Sequence, residues 1–498
     1  MTDLILAIDQ GTTGSTIALM DTDGRLLTSV NHEFPQIFPQ PGWVEHDPES
    51  IWQSVLKGLT AIFSDTQYAV SQVAAIGITN QRETAVLWDS QTGEAVHNAI
   101  VWQCRRTTDV CESLKAAGHE ALIKAKSGLV LDPYFSATKF KWLLDNAPNA
   151  KALLAEGRLL AGTIDTYLMW RLSNGKVHKT DVSNASRTSL MSLQTLDWDP
   201  ELLDIFGVPR DILPEICPSS GRFAVTSGVP GLPDGLPVSG VAGDQQSALF
   251  GQACFDPGDA KCTFGTGSFI LMNAGTSPIA SDSGLLSTLA WQLEGQDAVY
   301  ALEGGAFVCG AAVQWLRDQL GIIDQAADIE ALAESVESAG GVEFVPALAG
   351  LGAPYWAPEA RGTLTGLTRG SGKGEIARAT LDAMALQNVD ILMAMEADIG
   401  QPMTTLKVDG GASANNLLMQ LQSDYLNRPI TRPEVIETTV AGACFLAGLG
   451  EGVWASADEI ARVWRSDRAF EVRLNDAERV ERMTSWQVAV DRTLYTPS

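Results

Sequence analysis

Residues 4–16, LILAIDQGTTGST, run an apolar stretch directly into Asp9 and then into a Gly-Thr turn. The apolar stretch is typical of a buried strand, and the carboxylate at its end needs a partner unless the turn is simply solvated. The same order recurs where residues 261–264 lead into Gly265-Thr266-Gly267 and another apolar stretch. Either a strand–turn–strand unit is duplicated, with each turn facing a phosphate group, or the short echo arises by chance.

The length and charge of the chain restrict its organisation and its partners. With 498 residues it is too long for one hydrophobic core, so we expect two or three domains and a cleft between them. The net charge of −26 repels polyanions, and we expect neither nucleic acid nor an anionic membrane surface as a partner. There is no basic leader and no uncharged apolar run long enough to span a bilayer, which predicts a cytoplasmic protein.

Several common site signatures are missing. The seven cysteines are scattered and form no C-x-x-C pair, which predicts buried free thiols rather than a zinc site or a disulfide framework. Neither G-x-x-x-x-G-K-[ST] nor a G-x-G-x-x-G after a strand is present. A phosphate site in this chain must therefore use another architecture.

Hydrophobic spacing predicts the elements around the first turn. Residues 16–20 and 26–34 flank a strong hairpin signal at residues 21–24, which predicts a three-stranded meander. Asp47 is predicted to cap a helix with Pro48 in its first turn. Residues 73–80 then form a buried strand that lies parallel to its neighbours.

The second half is predicted to begin after residues 227–240, a Pro- and Gly-rich passage that we interpret as a connector. Residues 376–397 have the length and spacing of a long amphipathic helix. Residues 405–426 then read as a strand, a turn at Gly410 and Gly411, and a helix. Such a turn can pack a base or a ribose closely, with the Asn415 amide beside it, although a plain tight turn is the commoner case.

Polar side chains follow two of the predicted strands. Residues 80–83, Asn-Gln-Arg-Glu, lie between two apolar runs, where they would be unfavourable unless they bind a ligand or one another. A structural ion pair between Arg82 and Glu83 is the simpler interpretation. Asp244 follows a glycine turn at the end of the next strand, and it is either a functional carboxylate or the N-cap of a helix.

Together these stretches resemble the FGGY carbohydrate kinases. The matching stretches run in order from residue 5 to about residue 450: DQGTT, GITNQRET, NAIVWQCRRT, LDPYFSATK, NASRT, VAGDQQSALFGQ, FGTGSF, GLGAPYW, GLTRG and VDGGASANNLLMQ. The resemblance implies an α/β chain with an actin-like ATPase fold, in which two ribonuclease-H-like domains close on a cleft. The implied domains are residues 1–250, on the polyol and phosphate side, and residues 251–498, on the nucleotide side.

The resemblance also implies a substrate. NQRET and GDQQ are similar to the members of the family that phosphorylate glycerol, so we expect ATP-dependent transfer of the γ-phosphoryl group to glycerol, giving sn-glycerol 3-phosphate. Asp244 matches the general base that acts on the attacking hydroxyl. The residues that match polyol contacts are Arg82, Glu83, Trp102, Tyr134, Asp244, Gln245 and Phe269.

ATP and Mg²⁺ are the implied cofactors. Asp9 matches the carboxylate that holds Mg²⁺ through water. The residues that match contacts to the phosphates and the nucleotide are Thr12, Thr13, Gly14, Thr266, Gly310, Gln314, Gly411 and Asn415. One position departs from the pattern. Members that act on glycerol commonly carry an arginine that approaches the phosphates, whereas this chain has Thr16 there and lacks that contact.

Other functions remain as alternatives. A different FGGY kinase would act on a pentulose or a larger polyol, and an actin-like or chaperone-like ATPase would hydrolyse ATP without any polyol. The family implies a homodimer or a homotetramer. Because residues 227–240 contain no basic side chain, we expect weak or absent inhibition by a sugar bisphosphate, an anionic effector of some bacterial relatives.

Overall fold

The computed structural model describes residues 3–64 and 66–495. The strands of the first half are β1 (Leu4–Gln10), β2 (Gly14–Asp21), β3 (Leu26–Glu33), β4 (Glu45–His46), β5 (Val73–Asn80), β6 (Val86–Asp89), β7 (Ala99–Ile100), β8 (Leu159–Gly162), β9 (Lys179–Asp181), β10 (Glu215–Cys217), β11 (Ser220–Val225) and β12 (Pro237–Gly243). Its helices are α1 (Pro48–Ser64), α2 (Thr108–Ala116), α3 (Glu120–Ser127), α4 (Ser136–Asn146), α5 (Ala150–Ala155), α6 (Ile164–Leu172), α7 (Val182–Ala185), α8 (Pro200–Phe206) and α9 (Asp244–Gly251).

The second half continues the alternation of strands and helices. Its strands are β13 (Asp259–Phe264), β14 (Ser268–Gly275), β15 (Leu286–Trp291), β16 (Val299–Ala306), β17 (Glu343–Val345), β18 (Thr363–Thr365), β19 (Thr405–Asp409), β20 (Ile430–Pro433) and β21 (Ser466–Phe470). Its helices are α10 (Gly310–Asp318), α11 (Asp328–Glu334), α12 (Lys373–Ile399), α13 (Asn416–Leu426), α14 (Thr438–Gly450), α15 (Ala457–Val463) and α16 (Asp476–Leu494).

The first large sheet is built around the opening hairpin. Its six strands lie in the order β11, β12, β5, β1, β2, β3. β1, β2 and β3 are antiparallel neighbours, whereas β5 lies parallel to β1 and β12 lies parallel to β5. The Asp47 carboxylate accepts the Glu49 and Ser50 amides at 3.2 and 3.1 Å and so starts α1. The predicted meander, capped helix and parallel strand are confirmed.

The second large sheet repeats this plan. Its order is β15, β16, β14, β13, β19, β20, β21. β13, β14 and β16 are antiparallel neighbours, β19 lies parallel to β13, and β20 lies parallel to β19. An antiparallel edge strand, β11 or β21, closes each parallel side. The duplicated hairpin is therefore part of a repeat of the whole sheet, to which the second half adds β15.

The interpretation of residues 227–240 as a connector between halves is wrong. β11 and β12 are antiparallel neighbours within the first sheet, and the Pro- and Gly-rich residues form the loop that joins them. The passage is rich in turn residues because it reverses the chain at one edge of the sheet. Folding also brings a cation to this loop, because Lys176 Nζ donates to Ser227 Oγ at 3.0 Å.

The long helix in the second half is present as α12, but its predicted amphipathic character is wrong. Every residue from 379 to 389 is buried. α12 contacts β14 and β16 of the second sheet and also α11 and α13. A helix that is covered on several sides has no polar face, which explains why small and apolar residues dominate its middle.

α14 joins the two halves, although in sequence it lies between β20 and β21 of the second sheet. It packs against β1, β5 and β12 of the first sheet and against α9. Glycine permits this close approach: a Cβ at Gly77 would lie 2.1 Å from the Ala443 oxygen, and one at Gly442 would lie 1.8 Å from the Ser247 oxygen. The apolar cluster around α14 includes Leu271 from the second sheet, so this cluster combines residues of both halves.

The chemistry of the cysteines agrees with the prediction from their spacing. All seven are free thiols, and six of them are buried. In the described ranges, no helix combines the length and the apolar character that a membrane span requires.

Candidate functional site

Each half of the chain closes its first hairpin with a turn that leaves backbone amides free. The Gly11 amide donates to the Gly14 oxygen at 2.9 Å, and the Gly265 amide donates to the Gly267 oxygen at 2.9 Å. Within residues 3–64 and 66–495, no backbone acceptor binds the amides of Thr12, Thr13 and Thr266. Clustered free amides make concave sites that attract anions, so both turns can hold phosphate oxygens.

The second turn rests against the start of α10. The Cys309 amide donates to the Thr266 oxygen at 2.9 Å, and the Gly310 amide donates to the Gly265 oxygen at 2.9 Å. A Cβ at Gly310 would lie 2.7 Å from that same Gly265 oxygen, so only glycine fits. Gln314 lies one turn further along α10 and is exposed.

The Gly-Gly turn after β19 lies beside the second hairpin. A Cβ at Gly410 would lie 2.7 Å from the Phe264 oxygen, whereas a Cβ at Gly411 would meet open space. Asn415 caps α13, because its Oδ1 accepts the Leu418 amide at 2.8 Å. We expected the Asn415 side-chain amide to bind a ligand. Because its Oδ1 caps the helix, its Nδ2 group is the part that stays available for a ligand.

Asp9 ends β1 beside α14. The hydroxyl of Thr439, the second residue of α14, donates to Asp9 Oδ2 at 2.7 Å. Burial raises the pKa of the Asp9 carboxyl to about 6, reinforced by the charge of Asp244 and opposed by the Thr439 hydrogen bond. The two predicted carboxylates are thus close enough to interact, and among the residues that the structure describes none forms an ion pair with Asp9.

The donor set at Asp9 fits Mg²⁺. Carboxylate oxygen is a preferred ligand of this ion, which is usually bound through one or two carboxylates together with phosphates of the substrate. The described residues contain no group of three or more His, Cys, Asp or Glu side chains that could hold a metal alone. Asp9, beside the free amides of the first turn, therefore suits a magnesium ion that binds together with phosphate.

Asp244 is held at the start of α9 by Arg82. It is the first residue of the helix, and Gly243 is the N-cap, so the interpretation of Asp244 as a cap is wrong. Arg82 Nε lies 3.0 Å from Asp244 Oδ1, which also accepts the Gln245 amide at 2.7 Å. The Asp244 side chain is 32% exposed, whereas that of Arg82 is 2% exposed. Asp244 is therefore partly open to solvent, whereas the arginine that holds it is buried.

Behind Asp244 lies a charge cluster of two arginines and two glutamates: Arg82, Glu83, Arg187 and Glu303. Arg82 binds Glu303 through both terminal nitrogens, at 2.6 and 3.0 Å. Arg187 bridges the two acids, with Nε 2.7 Å from Glu83 Oε1 and Nη2 3.0 Å from Glu303 Oε1. Burial alone would raise the pKa of Glu303, but Arg187 and Arg82 together lower it to about 2. The simple Arg82–Glu83 ion pair is a minor contact of 3.8 Å.

Two aromatic side chains connect the charge cluster to the first phosphate turn. Trp102 Nε1 donates to Thr12 Oγ1 at 3.0 Å. The Trp102 and Tyr134 rings meet edge to face with centroids 5.7 Å apart. Arg82 Nη2 donates to the Tyr134 hydroxyl at 3.4 Å. Contacts thus run from Arg82 through Tyr134 and Trp102 to Thr12.

Gln245 and Phe269, the remaining predicted polyol residues, meet through Lys261. The Lys261 ammonium donates to Gln245 Oε1, to Thr263 Oγ1 at 2.9 Å and to the Phe269 oxygen at 3.4 Å. Burial lowers the pKa of Lys261. Lys261 is fully buried, so these contacts replace its hydration.

A buried network supports the first turn from behind. Gln36 Nε2 donates to the Thr12 oxygen at 3.0 Å, and Gln36 Oε1 lies 2.7 Å from His46 Nε2. Gln81 Nε2 donates to Gln10 Oε1 at 3.0 Å. Burial lowers the pKa of His46 to about 4, so the ring is neutral at pH 7. The polar run at residues 80–83 is therefore buried, and its side chains are satisfied by their neighbours.

Comparison with known proteins agrees with this geometry. The FGGY family of carbohydrate kinases, N-terminal domain, matches residues 4–251, and its C-terminal domain matches residues 260–451. The chain belongs to the FGGY family of carbohydrate kinases. Its two repeated sheets are the actin-like, two-domain architecture of that family.

Full-length relatives of this FGGY chain are glycerol kinases. It is 58% identical over 492 residues to the glycerol kinase of Bdellovibrio bacteriovorus, covering 99% of each chain. It is 55% identical over 488 residues to that of Symbiobacterium thermophilum, covering 98% of each. The crystal structure of Plasmodium falciparum glycerol kinase with ADP superposes with a TM-score of 0.94 at 36% identity, covering 100% of this chain and 99% of that one. A xylulose kinase from Lactobacillus acidophilus, 24% identical with a TM-score of 0.87, shares the fold.

Three residues of the FGGY site were not predicted from the sequence: Arg187, Glu303 and Lys261. Arg187 lies in NASRT, a stretch that already carried the resemblance, so its charge between short polar residues was a usable signal. Glu303 stands alone within the strand VYALEGGA, and Lys261 precedes the second turn inside a strand. A charge within a buried strand is the only local hint for either, because Glu303 pairs with Arg82 and Arg187 and Lys261 binds Gln245, all in the first half of the chain.

Proposed function

We propose that this protein transfers the γ-phosphoryl group of ATP to glycerol, giving sn-glycerol 3-phosphate and ADP. One observation carries the proposal: Asp244 is 32% exposed, whereas the other charged side chains around Arg82, those of Glu83, Glu303 and Arg187, are buried. Its Oδ1 is held by Arg82 and by the Gln245 amide, which leaves Oδ2 for a substrate hydroxyl. The full-length relatives named glycerol kinase support the choice of glycerol.

The polyol side follows from the chemistry of a small triol. Glycerol has almost no apolar area, so its affinity must come from hydrogen bonds to charged groups, each worth roughly 1.5–3 kcal/mol. In this proposal the hydroxyls are bound by Arg82, Glu83, Tyr134, Asp244 and Gln245. Trp102 and Phe269 lie against the carbon chain and exclude water.

Asp244 acts as the general base. It accepts the proton of the attacking hydroxyl at Oδ2 while Arg82 keeps its Oδ1 in place. Arg82 itself cannot turn away, because Glu303 holds both of its terminal nitrogens. The attacking oxygen is thereby oriented toward the phosphate turns as it loses its proton.

The nucleotide side positions phosphates and spreads their charge, which is most of what phosphoryl transfer requires of a protein. The free amides of the two turns would bind phosphate oxygens, and Asp9 would hold Mg²⁺, which neutralises phosphate charge when bound. The residues assigned to the nucleotide and its phosphates are Thr12, Thr13, Gly14, Thr266, Gly310, Gln314, Gly411 and Asn415.

Three wider assignments belong to the same proposal. The polyol domain comprises residues 1–250 and the nucleotide domain residues 251–498. The protein works in the cytoplasm, without a nucleic-acid partner. It assembles as a homodimer or a homotetramer, as its family implies.

The test is ADP release with MgATP in the presence of glycerol, dihydroxyacetone, erythritol, xylulose or no polyol. We expect strong dependence on glycerol and, because a general base commonly contributes 10²–10⁴ in rate, a fall in kcat of about 10²-fold or more for Asp244→Asn. Asp467→Asn, which removes a charge bound to Arg432 on the surface, is the matched control. Equal ADP release without polyol would instead indicate an actin-like or chaperone-like ATPase, and a preference for xylulose another FGGY kinase.

A further inference from the structure

Lys261 is a buried cation that links the two halves of the chain at the polyol site. It lies on β13 of the second sheet, while Gln245 lies on α9, which follows the first sheet. Its three N–H donors meet three acceptors: Gln245 Oε1, Thr263 Oγ1 and the Phe269 oxygen. Two of these acceptors belong to residues that the proposed function assigns to the polyol.

The contact with Lys261 fixes which end of the Gln245 amide faces the substrate. An ammonium group donates hydrogen bonds and accepts none, so the atom of Gln245 beside it must be the oxygen. The terminal torsion of a glutamine is broad and roughly two-fold, so without Lys261 the amide could turn and exchange its oxygen and nitrogen. With Lys261 present, the Nε2 group is the end left for a ligand.

A second lysine in the same sheet shows what a purely structural lysine does. Lys407 on β19 is the register partner of Lys261 on β13. Its ammonium donates to the Gln252 and Ala253 backbone oxygens at 2.6 and 3.1 Å, just beyond the end of α9. Lys407 therefore satisfies backbone carbonyls of the segment that follows α9, whereas Lys261 binds a side chain of the polyol site.

We propose that Lys261 is a positioning residue that sets substrate specificity: it holds Gln245 so that this amide donates to, and never accepts from, the polyol. The inference rests on the proposed function. It follows that the substrate atom at Gln245 must be a hydrogen-bond acceptor, and both a hydroxyl and a carbonyl oxygen satisfy this requirement. A group that can only donate is rejected at that position, because the Nε2 donor would be left unpaired.

The first test compares Lys261→Met with Lys407→Met in glycerol-dependent ADP release. For Lys261→Met we expect the KM for glycerol to rise about tenfold, with kcat lowered less than about threefold and the KM for ATP unchanged, as for lost binding in the ground state. Lys407→Met should leave the KM for glycerol within about twofold of the unchanged protein. Equal values of this KM in the two variants would overturn the inference.

A double-variant cycle separates positioning from general damage to the fold. If Lys261 acts through Gln245, Lys261→Met adds less than about twofold to the KM for glycerol in a Gln245→Ala background, because contacting residues that share one task are not additive. A full tenfold addition in that background would contradict a role through Gln245.

Gln245→Glu tests the orientation without removing the buried lysine. This change keeps an acceptor for Lys261 and removes the donor, so we expect the KM for glycerol to rise at least as much as in Gln245→Ala. Near-normal affinity would mean that the oxygen of Gln245 faces the polyol, and would overturn the inference even if Lys261→Met fails to fold. If the unchanged protein releases no ADP with glycerol, the proposed function itself fails, an outcome distinct from these.

Discussion

The two large sheets share one strand order, but different residues follow their strands at the cleft. Charged side chains follow the first sheet, with Arg82 and Glu83 after β5 and Asp244 after β12. Glycines follow the second sheet, at Gly265 after β13 and Gly410 after β19. A small triol requires charged hydrogen-bonding groups, whereas phosphates require free amides and close backbone approach. One scaffold can thus serve two ligand chemistries through the residues at its strand ends.

The largest effect is expected from breaking the charge cluster of the first half. Arg187→Met leaves Glu83 and Glu303 with Arg82 as their one remaining ion-pair partner among the described residues, and removing one partner from a buried ion pair lowers the free energy of unfolding by about 3–5 kcal/mol. Arg222→Met breaks a pair with Glu451 in which the arginine side chain is 61% exposed. That control should lose about 0–1 kcal/mol in the same urea titration. Similar losses in both variants would show that the cluster is not held by its charges.

The next effect is expected on the glycine side. In Gly310→Ala the new Cβ would meet the Gly265 oxygen at 2.7 Å and displace the second phosphate turn. Overpacking of about 1–3 kcal/mol corresponds to a rise of about tenfold to a hundredfold in the KM for ATP, while the KM for glycerol stays the same. In the control Gly370→Ala the nearest atom is Thr368 Oγ1 at 3.7 Å. A change in the KM for glycerol alone would contradict the division between the sheets.

Asp390 contrasts with the paired charges of the charge cluster, because none of its contacts in the described residues is an ion pair. Asp390 Oδ2 accepts from the Tyr355 hydroxyl at 2.8 Å and from Trp486 Nε1 at 2.7 Å. Burial raises the pKa of Asp390 to about 6, opposed by the hydrogen bonds from Trp486 and Tyr355. The folded state therefore binds the proton more tightly than the unfolded chain, and this group stabilises the fold progressively as the pH falls from about 6 toward 4.

Asp390→Asn should consequently raise the free energy of unfolding at pH 7.5 by about 2 kcal/mol, because the unfavourable buried charge is gone. The difference from the unchanged protein should shrink toward zero near pH 4, where Asp390 is protonated. Urea titrations at the two pH values measure this. A difference that does not depend on pH would mean that Asp390 does not titrate in this range.

The smallest effect is expected at Thr16, the position where the resemblance led us to expect an arginine. Thr16 Oγ1 accepts from Asn31 Nδ2 at 2.9 Å, and its Cα is the register partner of Asp9. Thr16→Arg adds a cation near the first phosphate turn, and a partly exposed charge of this kind contributes about 0.2–1 kcal/mol. We expect the KM for ATP to fall a few-fold at low salt and to approach the original value as salt increases. An unchanged KM at low salt would indicate that an arginine here does not reach the phosphates.

Local sequence patterns predicted the elements that carry their own signals. The meander follows from alternating apolar runs and a strong turn, and α1 follows from its aspartate cap. The prediction that residues 227–240 connect the two halves was wrong, because Pro and Gly mark any reversal of the chain, whether inside a sheet or between domains. The prediction that α12 is amphipathic was wrong, because the spacing of apolar residues shows which residues prefer burial but not how many neighbouring elements will cover the helix.

The site divides in the same way. Sequence motifs pointed to Asp9, both turns, Arg82 and Asp244, because each lies at the end of a strand or within two residues after it and stands out against apolar neighbours. The same motifs did not predict which charged side chains form ion pairs. Arg82 pairs mainly with Glu303, 221 positions away, rather than with the adjacent Glu83. Such partners are set by the packing of one half on the other, to which α14 and α9 both contribute contacts.

What the sequence by itself determined is therefore the set of strands, the two turns and the chemical types of the residues at the strand ends, since these depend on local propensity and periodicity. What only the tertiary structure decided is that Lys261 and Glu303 from the second sheet lie behind Gln245 and Arg82 from the first. The physical reason is that a charge buried without water must find an opposite charge or an acceptor in space, and distance along the chain does not limit where that partner lies.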